Sequence, residues 1–301
     1  GTINGISKYK PETDNFERYR ISIADAESFK KESLGAIAED AGGNIWFGNQ
    51  NGGIYKLDRE SKKFSFYDYP SKSISELFID DNNYIFAGTQ DCELYYFDEM
   101  ANTFVQAKVP GTQADYIPDN YIRNIFENHE GKIMMNASHG IFEIDPMKGT
   151  SEKLDILPKG ISTFRNNEIR YFYEESPNIL WIGTWGRGLY KYIVDQQKLI
   201  NYQVQPGSES SLTNNDVNVI YKDRGAVIWV GTQEGLNIID PAKDVFRKYQ
   251  NHPDNPESLH FNFITSFCED KNGMIWIGTY GGGVSRFDPE SEKFDAIIHN
   301  P

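Results

Sequence analysis

Met274–Asp288 reads MIWIGTYGGGVSRFD. Ile275 and Ile277 alternate with Trp276 and Gly278, the period-two pattern of a β-strand, and a Gly-rich turn leads to a second short strand ending at Asp288. Closely similar phrases start at Ile45 (IWFGNQNGGIYKLD), Leu180 (LWIGTWGRGLYKY) and Ile228 (IWVGTQEGLNIID). Weaker ones start at Ile85 (IFAGTQDCELYYFD) and Ile133 (IMMNASHGIFEID). The shared anchor position is Trp46, Phe86, Met134, Trp181, Trp229 and Trp276, at spacings of 40, 48, 47, 48 and 47 residues. Self-similarity of this length with period-two apolar runs, rather than a 3.6-residue period, marks a propeller built from four strands per repeat.

Each repeat supplies strand a (as in Val217–Lys222 or Ile264–Glu269), strand b (the Trp-Ile-Gly-Thr run), strand c (Gly188–Ile193, Gly283–Asp288) and strand d (Lys198–Val204, Lys293–Ile298). Strand d usually carries an aromatic residue such as Phe64, Phe104, Phe246 or Phe294. The expected fold is therefore all-β, a β-propeller of four-stranded antiparallel blades. Full blades are expected at 34–69, 74–109, 122–156, 169–204, 217–250 and 264–299. Residues 1–21 read as the outer half of a further blade, with Gly1-Thr2 as the end of a strand b, Gly5–Tyr9 as strand c and Phe16–Ile21 as strand d. The expectation is one propeller domain over 1–301, cut from a larger protein: six complete blades plus an N-terminal half blade. The seven-bladed ring would be completed by inner strands beyond Pro301. A six-bladed ring with an N-terminal arm is the second arrangement.

Gly43, Gly131 and Gly273 stand two residues before the first residue of strand b, with Asn83 and Asn178 in the equivalent place. Gly and Asn tolerate positive φ, as a short bulged hairpin requires; Ala226 breaks the rule and predicts a less regular turn. The anchor ring is expected to pack between neighbouring blades, a role that Phe86 and Met134 also fill by volume. Asn120, Asn167, Asn215 and Asn262 each precede strand a by two residues. They read as turn-closing side chains, or alternatively as a ring of amides at a channel mouth.

The net charge of −14 argues against a broad nucleic-acid or anionic-membrane footprint, which needs a basic face. Cys92 and Cys268 fall at different places in different repeats, so neither a disulfide nor a nucleophile is expected. No apolar run is long enough to cross a membrane, and no signal peptide is visible. The five histidines are scattered, no metal-ligand spacing or phosphate loop occurs, and the sialidase Asp-box is missing. No catalytic residue, metal or cofactor is expected.

The loop between strands b and c follows Gly-Thr directly and should emerge on the same face as the d–a connections. It carries Gln50, Gln90, His139, Trp185, Arg187, Gln233 and Tyr280. Aromatic faces suit the apolar C–H patches of a sugar, and amides and arginine suit hydroxyls or a carboxylate, so these residues are the candidate ligand contacts. Trp185 and Arg187 could equally stack on each other.

The phrase Glu-Asp-x-x-Gly-x-Ile-Trp-Ile-Gly-Thr, followed by Gly-Gly-Leu-x-Arg-Phe/Tyr-Asp, resembles the two-component regulator propeller repeat. It stands at Glu39–Asp58, Glu174–Tyr192 and Glu269–Asp288, with degenerate copies between. The connections at Pro206–Asn215 and from Pro253 to Leu259 resemble that family's linkers in their Ser-Leu pattern. The departures at Phe86, Met134 and Asn136 predict less regular second and third blades. The resemblance implies the periplasmic sensor region of a hybrid two-component system of Bacteroidetes-type bacteria, an ectodomain of an inner-membrane protein. In that setting two such propellers and further domains precede a histidine kinase. It implies an oligosaccharide ligand from glycan breakdown, a second propeller as neighbour and a homodimer in the full-length sensor; the net charge separately leads to the expectation of no nucleic acid partner. The family has no fixed ligand motif to carry over. A polysaccharide lyase or hydrolase, and a non-catalytic dimerisation or interaction scaffold, stand as the other readings.

Overall fold

The computed structural model describes residues 6–13, 15–19, 34–49, 53–67, 73–107, 122–137, 140–145, 148, 150–154, 169–208, 210–240 and 245–297. The chain divides into two compact units, Gly1–Ile156 and Leu157–Pro301. The described regular structure is entirely β, and the fold is a β-propeller of four-stranded antiparallel blades.

In the first unit, β1 (Ile6–Lys10) and β2 (Asn15–Tyr19) form a two-stranded antiparallel sheet. Blade 1 is β3 (Leu34–Glu39), β4 (Ile45–Asn49), β5 (Ile54–Leu57) and β6 (Phe64–Tyr67). Blade 2 is β7 (Ile74–Ile79), β8 (Ile85–Thr89), β9 (Leu94–Asp98) and β10 (Thr103–Ala107). Blade 3 is β11 (Ile122–Glu127), β12 (Ile133–Ala137), β13 (Gly140–Asp145) and β14 (Thr150–Leu154). In the second unit, blade 4 is β15 (Ile169–Ser176), β16 (Ile179–Thr184), β17 (Leu189–Ile193) and β18 (Lys198–Tyr202). Blade 5 is β19 (Val217–Lys222), β20 (Ile228–Thr232), β21 (Gly235–Asp240) and β22 (Val245–Tyr249). Blade 6 is β23 (Ile264–Glu269), β24 (Ile275–Thr279), β25 (Gly283–Asp288) and β26 (Lys293–Ile297). Every blade runs in chain order, so each strand pairs with its sequence neighbour.

The anchor rings of blades 1, 2, 4 and 5 pack against the following blade as expected, whereas Trp276 of blade 6 is half-buried. Trp46, Trp181 and Trp229 are almost wholly buried. Trp46 meets Phe97 and Phe104 of blade 2, and Trp229 meets Phe287 of blade 6. Phe86 plays the same part against Ile122, Ile125 and Phe142 of blade 3. Lysines or an arginine from strand c lie over the rings in three blades: Lys56 over Trp46, Lys191 over Trp181 and Arg286 over Trp276.

The glycine of the Trp-x-Gly-Thr phrase has a packing reason that the sequence did not reveal. In blades 1, 2, 4 and 5 it receives the β-branched residue that opens strand a of the following blade: Gly48 takes Ile74, Gly88 takes Ile122, Gly183 takes Val217 and Gly231 takes Ile264. A Cβ on Gly48 would lie 2.4 Å from the Cβ of Ile74.

A second unforeseen feature is a register shift in every a–b pair. It lies between Leu34 and Ala36, Ile74 and Glu76, Ile122 and Asn124, Ile169 and Tyr171, Val217 and Val219, and Ile264 and Ser266. Such bulges re-aim the extra side chain. Two of these side chains reach the next blade: Ser75 Oγ donates to the Ile122 carbonyl (2.8 Å) and Asn218 Nδ2 to that of Ile264 (3.0 Å). Blades 2 and 3 carry the same shift and all four strands, so Phe86, Met134 and Asn136 do not make them irregular, contrary to expectation.

The a–b turns explain the Glu-Asp phrase. The residue six before each anchor Trp is a carboxylate that accepts the indole N–H: Asp40 from Trp46 (2.8 Å), Glu175 from Trp181 (2.7 Å), Asp223 from Trp229 (2.8 Å) and Asp270 from Trp276 (2.9 Å). The aspartates also accept a backbone N–H across the turn, from Asn44, Val227 and Met274. Where the anchor is Met134, the turn residue is Asn128, which caps only backbone groups.

Burial alone would raise the Asp40 and Asp270 carboxyls. Hydrogen bonds from Trp46 and Asn44 to the first, and from Trp276, Asn272 and Met274 to the second, outweigh it and hold both below the usual 3.8. The stability they confer is therefore whole above that value and is lost as pH falls through their folded-state values. An Asp40→Asn, Asp270→Asn chain is expected to show a flatter loss of urea midpoint below about pH 4 than the wild type. An unchanged slope would contradict this.

Gly43, Asn83, Gly131 and Gly273 take positive φ as expected. Ala226 does so too (φ 64°), with the same turn hydrogen bonds as its counterparts, so that turn is regular rather than irregular. Asn178 does not; blade 4 turns tightly between Ser176 and Ile179, and Asn178 instead accepts the N–H groups of Val194 and Asp195. The left-handed conformation costs an alanine roughly 1–2 kcal/mol, less the backbone entropy a glycine would lose. Ala226→Gly is thus expected to stabilise the chain by about 0.5–1 kcal/mol in urea titrations; a loss of stability would show that the turn is not strained.

Candidate functional site

The b–c loops are built from the residues that close strand b. Thr89, Thr184 and Thr232 are fully buried. Thr184, Thr232 and Thr279 each donate Oγ1–H to the carbonyl that opens strand c, on Gly188, Gly235 and Gly283. The threonine therefore ties the loop shut. The first loop residue is pinned in turn: the N–H groups of Gln90, Gln233 and Tyr280 donate to the carbonyls of Ser73, Asp216 and Phe263, immediately before strand a. These bonds place b–c and d–a loops at the same end of each of these blades, as the sequence implied.

The d–a connections of the second unit are docked rather than loose. Leu212 and Leu259, from the Ser-Leu phrases, are fully buried in the inter-blade cores. Ser211 and Ser258 bind backbone groups of their own loops. Asn237 in β21, which sequence reading passed over, is fully buried and holds Thr213 by its N–H (2.9 Å) and its hydroxyl (2.9 Å). Asn215 and Asn262 accept the N–H groups of Val204 and Asn251, closing the connection between strand d and the next strand a. That supports their turn-closing reading in this unit; Asn120 and Asn167 lie outside the described residues.

Among the predicted ligand contacts, Gln50 and His139 also lie outside the described residues. Gln90 stands exposed in blade 2, and Gln233 is half-buried in blade 5. Trp185 in blade 4 is 47% exposed and Tyr280 in blade 6 is 71% exposed. Arg187 is exposed beside Trp185, and its carbonyl accepts the Gln203 amide (3.2 Å). Gln250 makes the matching bond to Glu234 (2.7 Å). Tyr280 leans on Phe263, ring centroids 5.4 Å apart, with exposed Phe261 beside Gly281 and Gly282.

Two residues missed at the sequence level shape the blade 4 loop. Arg170, the bulge residue of β15, places its guanidinium 3.9 Å from the centre of the Trp185 ring. Asp216, just before β19, accepts the Gly186 N–H (2.6 Å). No metal-holding group of His, Cys, Asp or Glu occurs among the described residues. A cleft between blades 2 and 3 opens at the a–b turns, lined by Phe78, Asp81, Phe126, Glu127, His129 and Glu130; no predicted site residue lines it.

A family model described as two component regulator propeller matches residues 258–281, one linker and the strands that follow. No curated protein matches the sequence. The fold is similar to that of the extracellular domain of the hybrid two component system BT3049 from B. thetaiotaomicron. The TM-score is 0.69 at 20% identity, over 89% of this chain and 35% of that one. The extracellular domain of BT4673, a hybrid two component system of the same organism, gives a TM-score of 0.62 at 21% identity, over 99% and 44%. A catalytically inactive virginiamycin B lyase from Staphylococcus aureus, solved with quinupristin, gives 0.66 at 13% identity, over 92% and 87%. The chain thus spans less than half the length of the two extracellular domains.

Proposed function

We propose that this chain is a non-catalytic sensor propeller of a hybrid two-component system, lying outside the cytoplasm, whose b–c loops in the second unit receive a short oligosaccharide. The signal passes to a histidine kinase outside this chain, with a second propeller and a second copy of the full-length sensor as partners. The family-model match and the likeness to extracellular domains of hybrid two component systems support the sensor class. The observation that carries the ligand class is the exposed Trp185 ring on a loop fixed from both sides, with the exposed Arg187 two residues further along the same loop. Broad aromatic faces with a few placed polar groups are the usual small-ligand pattern. The likeness to a lyase favours an enzyme as the second reading, and the same experiment separates the two.

A thermal-shift screen against cellotriose, xylotriose, maltotriose and trigalacturonate tests the proposal, because a ligand that binds only the folded chain must raise its melting temperature. A rise of several degrees with one sugar is expected, with the sugar recovered unchanged and the rise lost in Trp185→Ala and Arg187→Ala. A rise that survives both substitutions, or consumption of the sugar, would overturn it.

A further inference from the structure

We propose that Arg170 is the positioning residue of the blade 4 loop: it clamps one face of Trp185 and makes the ring a rigid, one-faced stacking platform. This rests on the reading that Trp185 meets a ligand, but the clamp itself can be tested without one.

The argument starts at the bulge. In β15 the register shifts between Ile169 and Tyr171, which frees Arg170 from the ladder and re-aims its side chain. The equivalent residues of the same unit, Asn218 and Thr265, are shorter, and Asn218 is spent on the Ile264 carbonyl. Arg170 alone of the three has the length to reach its own b–c loop. Its guanidinium lies 3.9 Å from the Trp185 centroid, well inside the range of a cation–π contact, while its Nε is buried. The planar group thus covers one face of the ring.

The rest of the loop is fixed independently. Gly186 donates to Asp216, Thr184 donates to the Gly188 carbonyl, and the Gly188 N–H donates to the Asn215 carbonyl (2.9 Å). Backbone anchors of this kind place the Cα of Trp185 but leave its ring free to turn. Arg170 removes that freedom, yet the indole stays 47% exposed. A sugar ring therefore meets one open face of an already ordered indole, and the entropy of immobilising the side chain is not charged to binding. Tyr280, at the same repeat position in blade 6, rests on Phe263 instead.

The test isolates Trp185 emission as the difference between the chain and its Trp185→Phe variant. Time-resolved anisotropy of that difference should decay only with overall tumbling in the wild type. In Arg170→Gln a fast component should appear, and Arg170→Lys, which keeps the charge without the planar stack, should fall between. An unchanged decay in Arg170→Gln overturns the proposal; if that variant fails to fold, an unchanged decay in Arg170→Lys does so. For whichever of the four trisaccharides shifts the wild type, Arg170→Gln should bind about three- to tenfold more weakly. Equal affinity would overturn the proposal. If none of the four binds the wild type, the ligand reading fails while the anisotropy still decides the clamp.

Discussion

Asp223→Asn is expected to destabilise the chain by about 2–3 kcal/mol, while Asp80→Asn changes its stability by less than about 0.5 kcal/mol. The two aspartates hold equivalent turns, and both cap backbone N–H groups with Oδ1, Asp223 that of Val227 and Asp80 those of Asn82 and Tyr84. They differ in what Oδ2 meets. Asp223 Oδ2 accepts the indole N–H of the buried Trp229, whereas the anchor above Asp80 is Phe86, which has no donor. Asparagine keeps the Oδ1 caps in both places, as Asn128 already does in blade 3. At position 223 its NH2 would face another N–H, leaving a buried donor unsatisfied. Urea titrations of the wild type, Asp223→Asn, Trp229→Phe and the double variant form a double-mutant cycle, with Asp80→Asn measured beside it. Strong coupling between 223 and 229 is expected. Equal costs at 223 and 80 would show that the carboxylate serves the turn alone.

Gly231→Ala is expected to cost about 1–3 kcal/mol by overpacking, and Gly278→Ala under about 1 kcal/mol. A Cβ on Gly231 would stand 2.5 Å from Ile264 Cγ2 and 2.7 Å from Val219 Cγ1. Both neighbours are β-branched, stiff at χ1 and buried, so neither can swing away. On Gly278 the close atom is the Ser266 hydroxyl at 2.3 Å, a side chain on an exposed position that can rotate. Removing a clashing methyl, as in Gly231→Ala with Val219→Ala, should cost less than the two single substitutions added together. Equal costs at the two glycines would mean that strand geometry, rather than the approach of the next blade, dictates glycine in this phrase.

The strands were legible because one phrase recurs and alternates with period two, which fixes both the element and its inward face. The reasons behind individual letters were not. The Gly of Trp-x-Gly-Thr and the aspartate six residues before the tryptophan meet partners in space, one on the next blade and one across a turn. A repeat alignment shows that such residues recur without showing what they touch. Ala226 departs from its local propensity because the hydrogen-bonded turn imposes a left-handed backbone on whichever residue stands there. At the candidate site, exposure of Trp185 and Tyr280 followed from their place after Gly-Thr. Arg170 did not follow, because a register shift leaves no trace in composition or periodicity; only its recurrence in all six a–b pairs shows that it belongs to the repeat.

Calorimetric titration of the wild-type chain and of Trp185→Ala with the trisaccharide that gives the largest thermal shift tests the central claim most directly. Saturable binding by the wild type, lost in Trp185→Ala while its fold is retained and with the sugar recovered intact, is the result predicted for a sensor with its site on the blade 4 loop. The same affinity in both chains, or steady heat from turnover of the sugar, would contradict it.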